Sequence, residues 1–122
     1  MALGAVTNAV CVRNAATAMG SFVDCTVNEG LLVDAGADDQ KICLHIKNAI
    51  TNATHTAVIV RGDGLQGTAD LEVTLAQSTE KVIVVESGKY KLLSGTNKGK
   101  ILIKDKSTTN TNAISVAAVV LP

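Results

Sequence analysis

Two histidines, three cysteines and one acidic loop are the side chains of this sequence with chemistry to offer. His45 follows Cys43 by two positions within Lys41–Lys47. Residues two apart on an extended strand share a face, so this pair could begin a metal site. Zinc takes three or four ligands, and no second pair is spaced to complete the set. The ordinary reading of His45 is a solvent-facing strand position; the other histidine is His55. Asp34, Asp38 and Asp39 share one loop where a cation could sit, but their spacing fits no EF-hand pattern. Solvated turn residues explain them.

Cys11, Cys25 and Cys43 are odd in number and cannot close into a full set of intrachain disulfides. No Cys-x-x-Cys pair occurs. They read as reduced thiols acting as small apolar residues. One disulfide with one free thiol is the alternative, with Cys25 and Cys43 the suspected partners. The chain contains no Gly-x-Ser-x-Gly elbow and no phosphate-cradling loop. Gly62-Asp63-Gly64 and Gly67 cluster after a strand, and a wide turn accounts for them, because no helix pattern follows to supply an anion-binding N-terminus. Arg61-Gly62-Asp63 is the tripeptide integrins recognise, yet Gly and Asp are expected at a strand end. Asn52-Ala53-Thr54 matches a glycosylation acceptor, without a secretion signal to bring it into use. No catalytic, cofactor-binding or metal-ligating set emerges. The expectation is a protein that is not an enzyme and uses no cofactor.

Composition narrows the classes further. The 122 residues suit one domain. The hydrophobic share of 47% comes mostly from Ala, Val, Ile and Leu, and the β-branched members favour a pleated surface. Eleven basic and eleven acidic residues cancel, whereas a nucleic-acid binder shows a basic excess or patch. Phe22 and Tyr90 are the only aromatics, too few for a base-stacking platform or an aromatic sugar site. The N-terminus lacks the basic and apolar regions of a signal peptide. No apolar run approaches the roughly 20 residues that span a bilayer. These features predict a soluble chain made in a cytosol, with neither nucleic acid nor membrane as partner.

Short strands must position whatever these residues do. The pattern predicts them at Ser21–Val27, Gly30–Asp34, Lys41–Lys47, Thr56–Arg61, Leu71–Leu75, Lys81–Glu86, Tyr90–Leu93, Ile101–Lys104 and Ala113–Leu121. Turn residues separate them: Asn28-Glu29-Gly30, Gly62-Asp63-Gly64, Ser87-Gly88, Ser94-Gly95 and Asn97-Lys98-Gly99. Period-two alternation assigns Ile42, Leu44, Ile46, Val58, Val60, Leu71, Val73, Leu75, Ile101 and Ile103 to the core. Val82–Val85 and Ala117–Leu121 are apolar on both faces, as in central strands or in strands whose outer face a partner covers. The fold class is therefore all-β: a single antiparallel β-sandwich, Ig-like or related, over residues 21–122. Residues 1–20 are rich in Ala, Asn and Thr and form an N-terminal arm, a first irregular strand, or a short helix over Ala15–Met19. As an arm they would serve attachment, and deleting residues 1–12 would leave a folded domain that attaches poorly to its assembly.

From Ile50 onward the sequence resembles the small decoration proteins on the heads of tailed bacteriophages. The resemblance is carried by Gly62-Asp63-Gly64-Leu65-Gln66-Gly67, by Asp70-Leu71-Glu72-Val73-Thr74-Leu75-Ala76, and by Val85-Glu86-Ser87-Gly88-Lys89-Tyr90-Lys91. Asn97-Lys98-Gly99-Lys100-Ile101 and the ending Val119-Val120-Leu121-Pro122 complete it. Its most distinctive part is a turn, a Glu-Ser-Gly-Lys-Tyr strand and a final strand ending on Leu-Pro. The resemblance implies a β-sandwich that binds the outer face of an assembled head and clamps neighbouring subunits against internal DNA pressure. It further implies the major capsid protein as partner, a homo-oligomer with a trimer favoured, and a place on the outer capsid surface of the virion. Another phage structural module, from a tail tube or head fibre, and an Ig-like bacterial adhesion domain are the competing expectations.

Overall fold

The computed structural model describes residues 4–6, 8–25, 30–35, 41–51, 53–64, 67, 69–106 and 113–122. Among these, ten strands form two sheets packed face to face. They are β1 (Gly4–Val6), β2 (Ala9–Val10), β3 (Val23–Asp24), β4 (Leu31–Asp34) and β5 (Lys41–Asn48), followed by β6 (His55–Ile59), β7 (Leu71–Leu75), β8 (Glu80–Glu86), β9 (Lys100–Asp105) and β10 (Ile114–Val120). One sheet runs β1-β4-β9-β6-β7; the other runs β2-β10-β5-β8, with β3 beside β2 on the same flank of β10. The chain is an all-β sandwich. The turn residues Asn28 and Glu29, the acidic-loop residues Asp38 and Asp39, the acceptor Asn52, and Leu65 and Gln66 lie outside the described residues.

Alternation builds the core. Ile42, Leu44 and Ile46 of β5 point inward and are fully buried, while Cys43, His45 and Lys47 face out and are half-buried. From the opposite sheet come Leu31, Val33, Ile101, Ile103, Ile59 and Leu75. β10 is central, and its outer face is closed as well. Ser115 donates a hydrogen bond to Asp24 at 2.7 Å, and Phe22 stacks edge-on against His45, which lies opposite Ala117.

Four expectations change. In β6 the buried face is His55, Ala57 and Ile59, with Val58 and Val60 only half-buried. The cause is register: Ile59 lies opposite the buried Ile103 of β9, and Val58 lies opposite the exposed Lys104. Opposed residues share a face, so β9 sets the phase. Tyr90–Leu93 is no strand. Ser87–Tyr90 makes a single helical turn, α1, closed by the Lys91 N–H donating to the Ser87 carbonyl at 2.8 Å. Lys91 then meets Ile101 in one isolated bridge. Val82–Val85 belongs to an edge strand rather than a central one, since among the described residues β8 pairs only with β5. Finally, the pairing is mixed: β1 lies parallel on β4 and β2 parallel on β10, whereas the other pairs are antiparallel.

Residues 4–10 therefore contribute strands to both sheets and bury Val6 and Ala9. Ala15–Met19 is exposed and carries no helix.

Truncating Leu44 to Ala should cost about 2–5 kcal/mol, as large-to-small core changes do, and Val58→Ala clearly less. Urea unfolding of the two variants checks this, and equal losses would contradict the β6 phase. Removing residues 1–12 takes away β1 and β2 and should lower the thermal midpoint; an unchanged midpoint would return these residues to the role of a dispensable arm.

Candidate functional site

Two of the buried polar residues form a pair. His55 Nδ1 and Asp105 Oδ2 lie 2.8 Å apart, with side chains 1% and 0% exposed. His55 opens β6 and Asp105 closes β9, so the pair fastens two neighbouring strands from within. Buried polar groups need such partners, and stranding one costs roughly 1–3 kcal/mol. No substrate can reach this pair through the packed interior, and its role is to hold the fold.

Cys25 lies close by. Its thiol donates to the Ile103 carbonyl at 3.7 Å. Burial pushes its pKa up to about 11, opposed by a hydrogen bond from the Asp105 backbone and assisted by the Asp105 charge. Cysteine, histidine and aspartate thus meet in one region. A reactive cysteine, however, needs a lowered pKa and access to solvent, and Cys25 has neither.

The other two thiols face outward and are free. Burial, then the nearby Cys11 charge, raises the pKa of Cys43. Cys43 sits on β5, while the Cys11 N–H donates to Val120 of β10 on that strand's far flank. Two strand spacings of about 4.8 Å separate them, beyond the roughly 7 Å that a disulfide tolerates. Cys25 and Cys43 lie on opposite faces of their sheet and cannot pair either.

His45 and Cys43 share the outer face, as alternation predicts, without forming part of a three-ligand metal group among the described residues. The His45 ring meets Glu80 Oε1 through Nε2 at 2.5 Å and lies 4.9 Å from the Phe22 ring. Lys47 Nζ stands 4.0 Å above that same ring, a cation–π contact. The cluster pins the chain before β3 onto the sheet. Asp34 ends β4, and Asn8 donates its side-chain amide to the Asp34 carbonyl. Among the described residues, no three His, Cys, Asp or Glu side chains are grouped to hold a metal ion.

The glycine cluster serves packing. Val60, Arg61, Gly62, Asp63, Gly64, Gly67 and Asp70 line an open hollow of about 490 Å³. Gly62 lies against the end of α1 and Lys91, donating to the Lys89 carbonyl at 3.0 Å, and a Cβ there would sit 2.5 Å from the Lys91 carbonyl. A Cβ on Gly67 would come within 2.1 Å of the Gly62 carbonyl. Only glycine permits such approaches. Asp63 accepts from the Leu93 N–H at 2.5 Å and from Ser94 Oγ at 2.9 Å, and these bonds lower its pKa. Both carboxylate oxygens of the Arg61-Gly62-Asp63 tripeptide are thus engaged within the chain, which leaves a poor integrin ligand.

Sequence reasoning missed the His55–Asp105 pair. The signal was present: Asp105 continues the inward alternation of Ile101 and Ile103. A carboxylate on a core face requires a partner, but the phase expected for β6, with Val58 and Val60 inward, turned His55 outward, and only the observed register brings it in.

Compared with known proteins, the chain matches no family model, no curated protein and no solved structure. Among the described residues, His55, Asp105 and Asp63 are engaged in holding strands and loops, while the Cys11 and Cys43 thiols are free. The exposed large apolar side chains among the described residues are Val10, Val12, Met19, Val82, Val84 and Leu93.

The thiols provide a test. Two should react with a thiol reagent in the native protein and the third only after denaturation. For Cys25 the folded pKa lies above that of the unfolded thiol, so above pH ~9 the unfolded chain releases its proton first. Stability should therefore fall as pH rises from about 9 toward 11, by at most ~1.4 kcal/mol per pH unit from this group. Cys25→Ser should flatten that part of the profile, and a slope unchanged by the substitution would place its origin elsewhere.

Proposed function

We propose that this protein is a non-catalytic structural component of a tailed-phage head, a decoration protein that attaches to the outer surface of the assembled capsid and stabilises it. The major capsid protein is its partner in this reading, and copies of the chain associate with one another.

One observation carries the reading beyond the sequence resemblance. Two motifs of that resemblance, Gly62-Asp63-Gly64 with Gly67, and Glu86 through Lys91, form one packed unit. Gly62 seats on the carbonyls of Lys89 and Lys91, and Asp63 ties down Leu93 and Ser94 immediately beyond. Residues far apart in sequence that must fit together are the kind a family would share as a set. The unit departs from the resemblance in one respect, since the Glu-Ser-Gly-Lys-Tyr segment leaves β8 and turns helically. A neutral sandwich whose His55–Asp105 pair is sealed in the core also suits a clamp better than a catalyst. The engagement of Asp63 weighs against adhesion through Arg61-Gly62-Asp63.

Incubating the purified chain with empty expanded phage heads and sedimenting them tests the proposal. The chain should co-sediment to saturation and raise the temperature at which the heads open. With a net charge of +0, it should lose little affinity as salt rises, unlike a nucleic-acid complex. Failure to bind heads of its own phage would refute the reading.

A further inference from the structure

Asp63-Gly64 is the one Asp-Gly step in the sequence, and no Asn-Gly step occurs. Such a step is prone to a reaction within its own backbone. The aspartate carboxyl stands next to the following amide nitrogen, and glycine carries no Cβ to screen that nitrogen. In this protein the carboxyl is held elsewhere. Asp63 Oδ1 accepts from the Leu93 N–H at 2.5 Å, and Oδ2 accepts from Ser94 Oγ at 2.9 Å. Gly64 is fixed as well. Its carbonyl accepts from the Gly67 N–H at 3.1 Å, and a Cβ on it would sit 2.9 Å from Leu93 Cδ1.

We propose that Asp63-Gly64 is a site of spontaneous aspartate isomerisation that the native fold suppresses and unfolding opens. In this reaction the Gly64 nitrogen attacks Cγ of the protonated Asp63 carboxyl. A C–N bond forms, the C–OH bond breaks, and the hydroxyl leaves with the amide proton as water. The product is a five-membered succinimide. Water then adds to one of its two carbonyls. Opening at one restores aspartate; opening at the other leaves the main chain running through Cγ, which is isoaspartate. Water is the only co-reactant, and nothing is oxidised or reduced.

The two hydrogen bonds oppose the first step. Bonds to a carboxylate favour its ionised form, whose carbon resists attack, and they lower the pKa of Asp63 accordingly. They also tie the carboxylate to Leu93 and Ser94, so it cannot turn onto the Gly64 nitrogen while both persist. Isomerisation, once complete, damages the packed unit. The main chain gains a methylene, and the carboxylate moves onto Cα. Leu93 and Ser94 lose their acceptor beside the place where Gly62 must seat against the end of α1 and Lys91. A chain left unfolded therefore loses the means to refold. The inference does not depend on the capsid reading.

Incubating the full chain at neutral pH with and without urea tests this, with peptide mapping by chromatography and mass spectrometry. The succinimide is one water lighter, and isoaspartate elutes apart at unchanged mass. Isoaspartate should accumulate at least roughly tenfold faster in urea, as the loss of two hydrogen bonds implies. Gly64→Ala should nearly abolish it there, which assigns the site. In the native state Ser94→Ala should speed it about threefold, the worth of one such bond, with an unchanged CD spectrum. Ser94→Thr keeps the hydroxyl and should match the unaltered protein. When urea is removed, the fraction that fails to regain the native thermal midpoint should equal the isomerised fraction. Equal rates with and without urea, or a folded Ser94→Ala protein no faster than the unaltered one, would overturn the proposal. So would isoaspartate chains that refold to the native midpoint.

Discussion

Everything in this sandwich hangs on β5. It is paired along its length with β10 on one side and β8 on the other, and its inward residues Ile42, Leu44 and Ile46 form the centre of the core. A shift of one residue in either ladder would turn these three outward and Cys43, His45 and Lys47 inward. Burying a lysine and a histidine in place of two isoleucines and a leucine is costly enough to exclude the alternative. The register of the whole second sheet follows, including the placement of Val82 and Val84 on its outer face.

With almost no aromatic residues available, the molecule fills its interior with branched aliphatics and alanine. Ala57, Ala113, Ala117 and Ala118 are fully buried. Small side chains let backbones approach closely, and the same tactic recurs where Gly62 meets the end of α1 and Lys91, and where Gly67 meets Gly62. The polar residues that first suggest chemistry are drawn into this construction. His55 and Asp105 join β6 to β9, and Asp63 holds the chain at Leu93 and Ser94.

The fold class and most strands were legible in the sequence because alternation survives wherever one face is buried. β5, β7 and β9 read cleanly for that reason. β6 did not, because Val58 and Val60 outweigh Ala57 in hydrophobicity, and only the neighbouring Ile103 fixes the phase. α1 was hidden because Ser87-Gly88 serves a turn or a helical turn equally well; contact with Gly62 decides between them. β1 and β2 were too short to show a period, and their parallel partners lie far along the chain. In the candidate site, the outward placement of Cys43 and His45 was readable from parity. The engagement of Asp63 and the His55–Asp105 pair were not, since each depends on a partner thirty or more residues away.

The position of β10 in chain order has a bearing on synthesis. This central strand of the second sheet spans Ile114–Val120, and β2, β3 and β5 all pair with it. While the ribosome is still adding earlier residues, β5 can gain β8 but has nothing on its other flank. Ala9 and Val10 emerge long before their partners Val119 and Val120 and wait for them. Such long-range pairing slows folding and leaves strand edges exposed to neighbours. A nascent chain of this kind cannot settle piecemeal from its N-terminus. Closure of the second sheet must follow translation of residues 114–120, so crowded polysomes making this protein hold many copies with an open β5 at once.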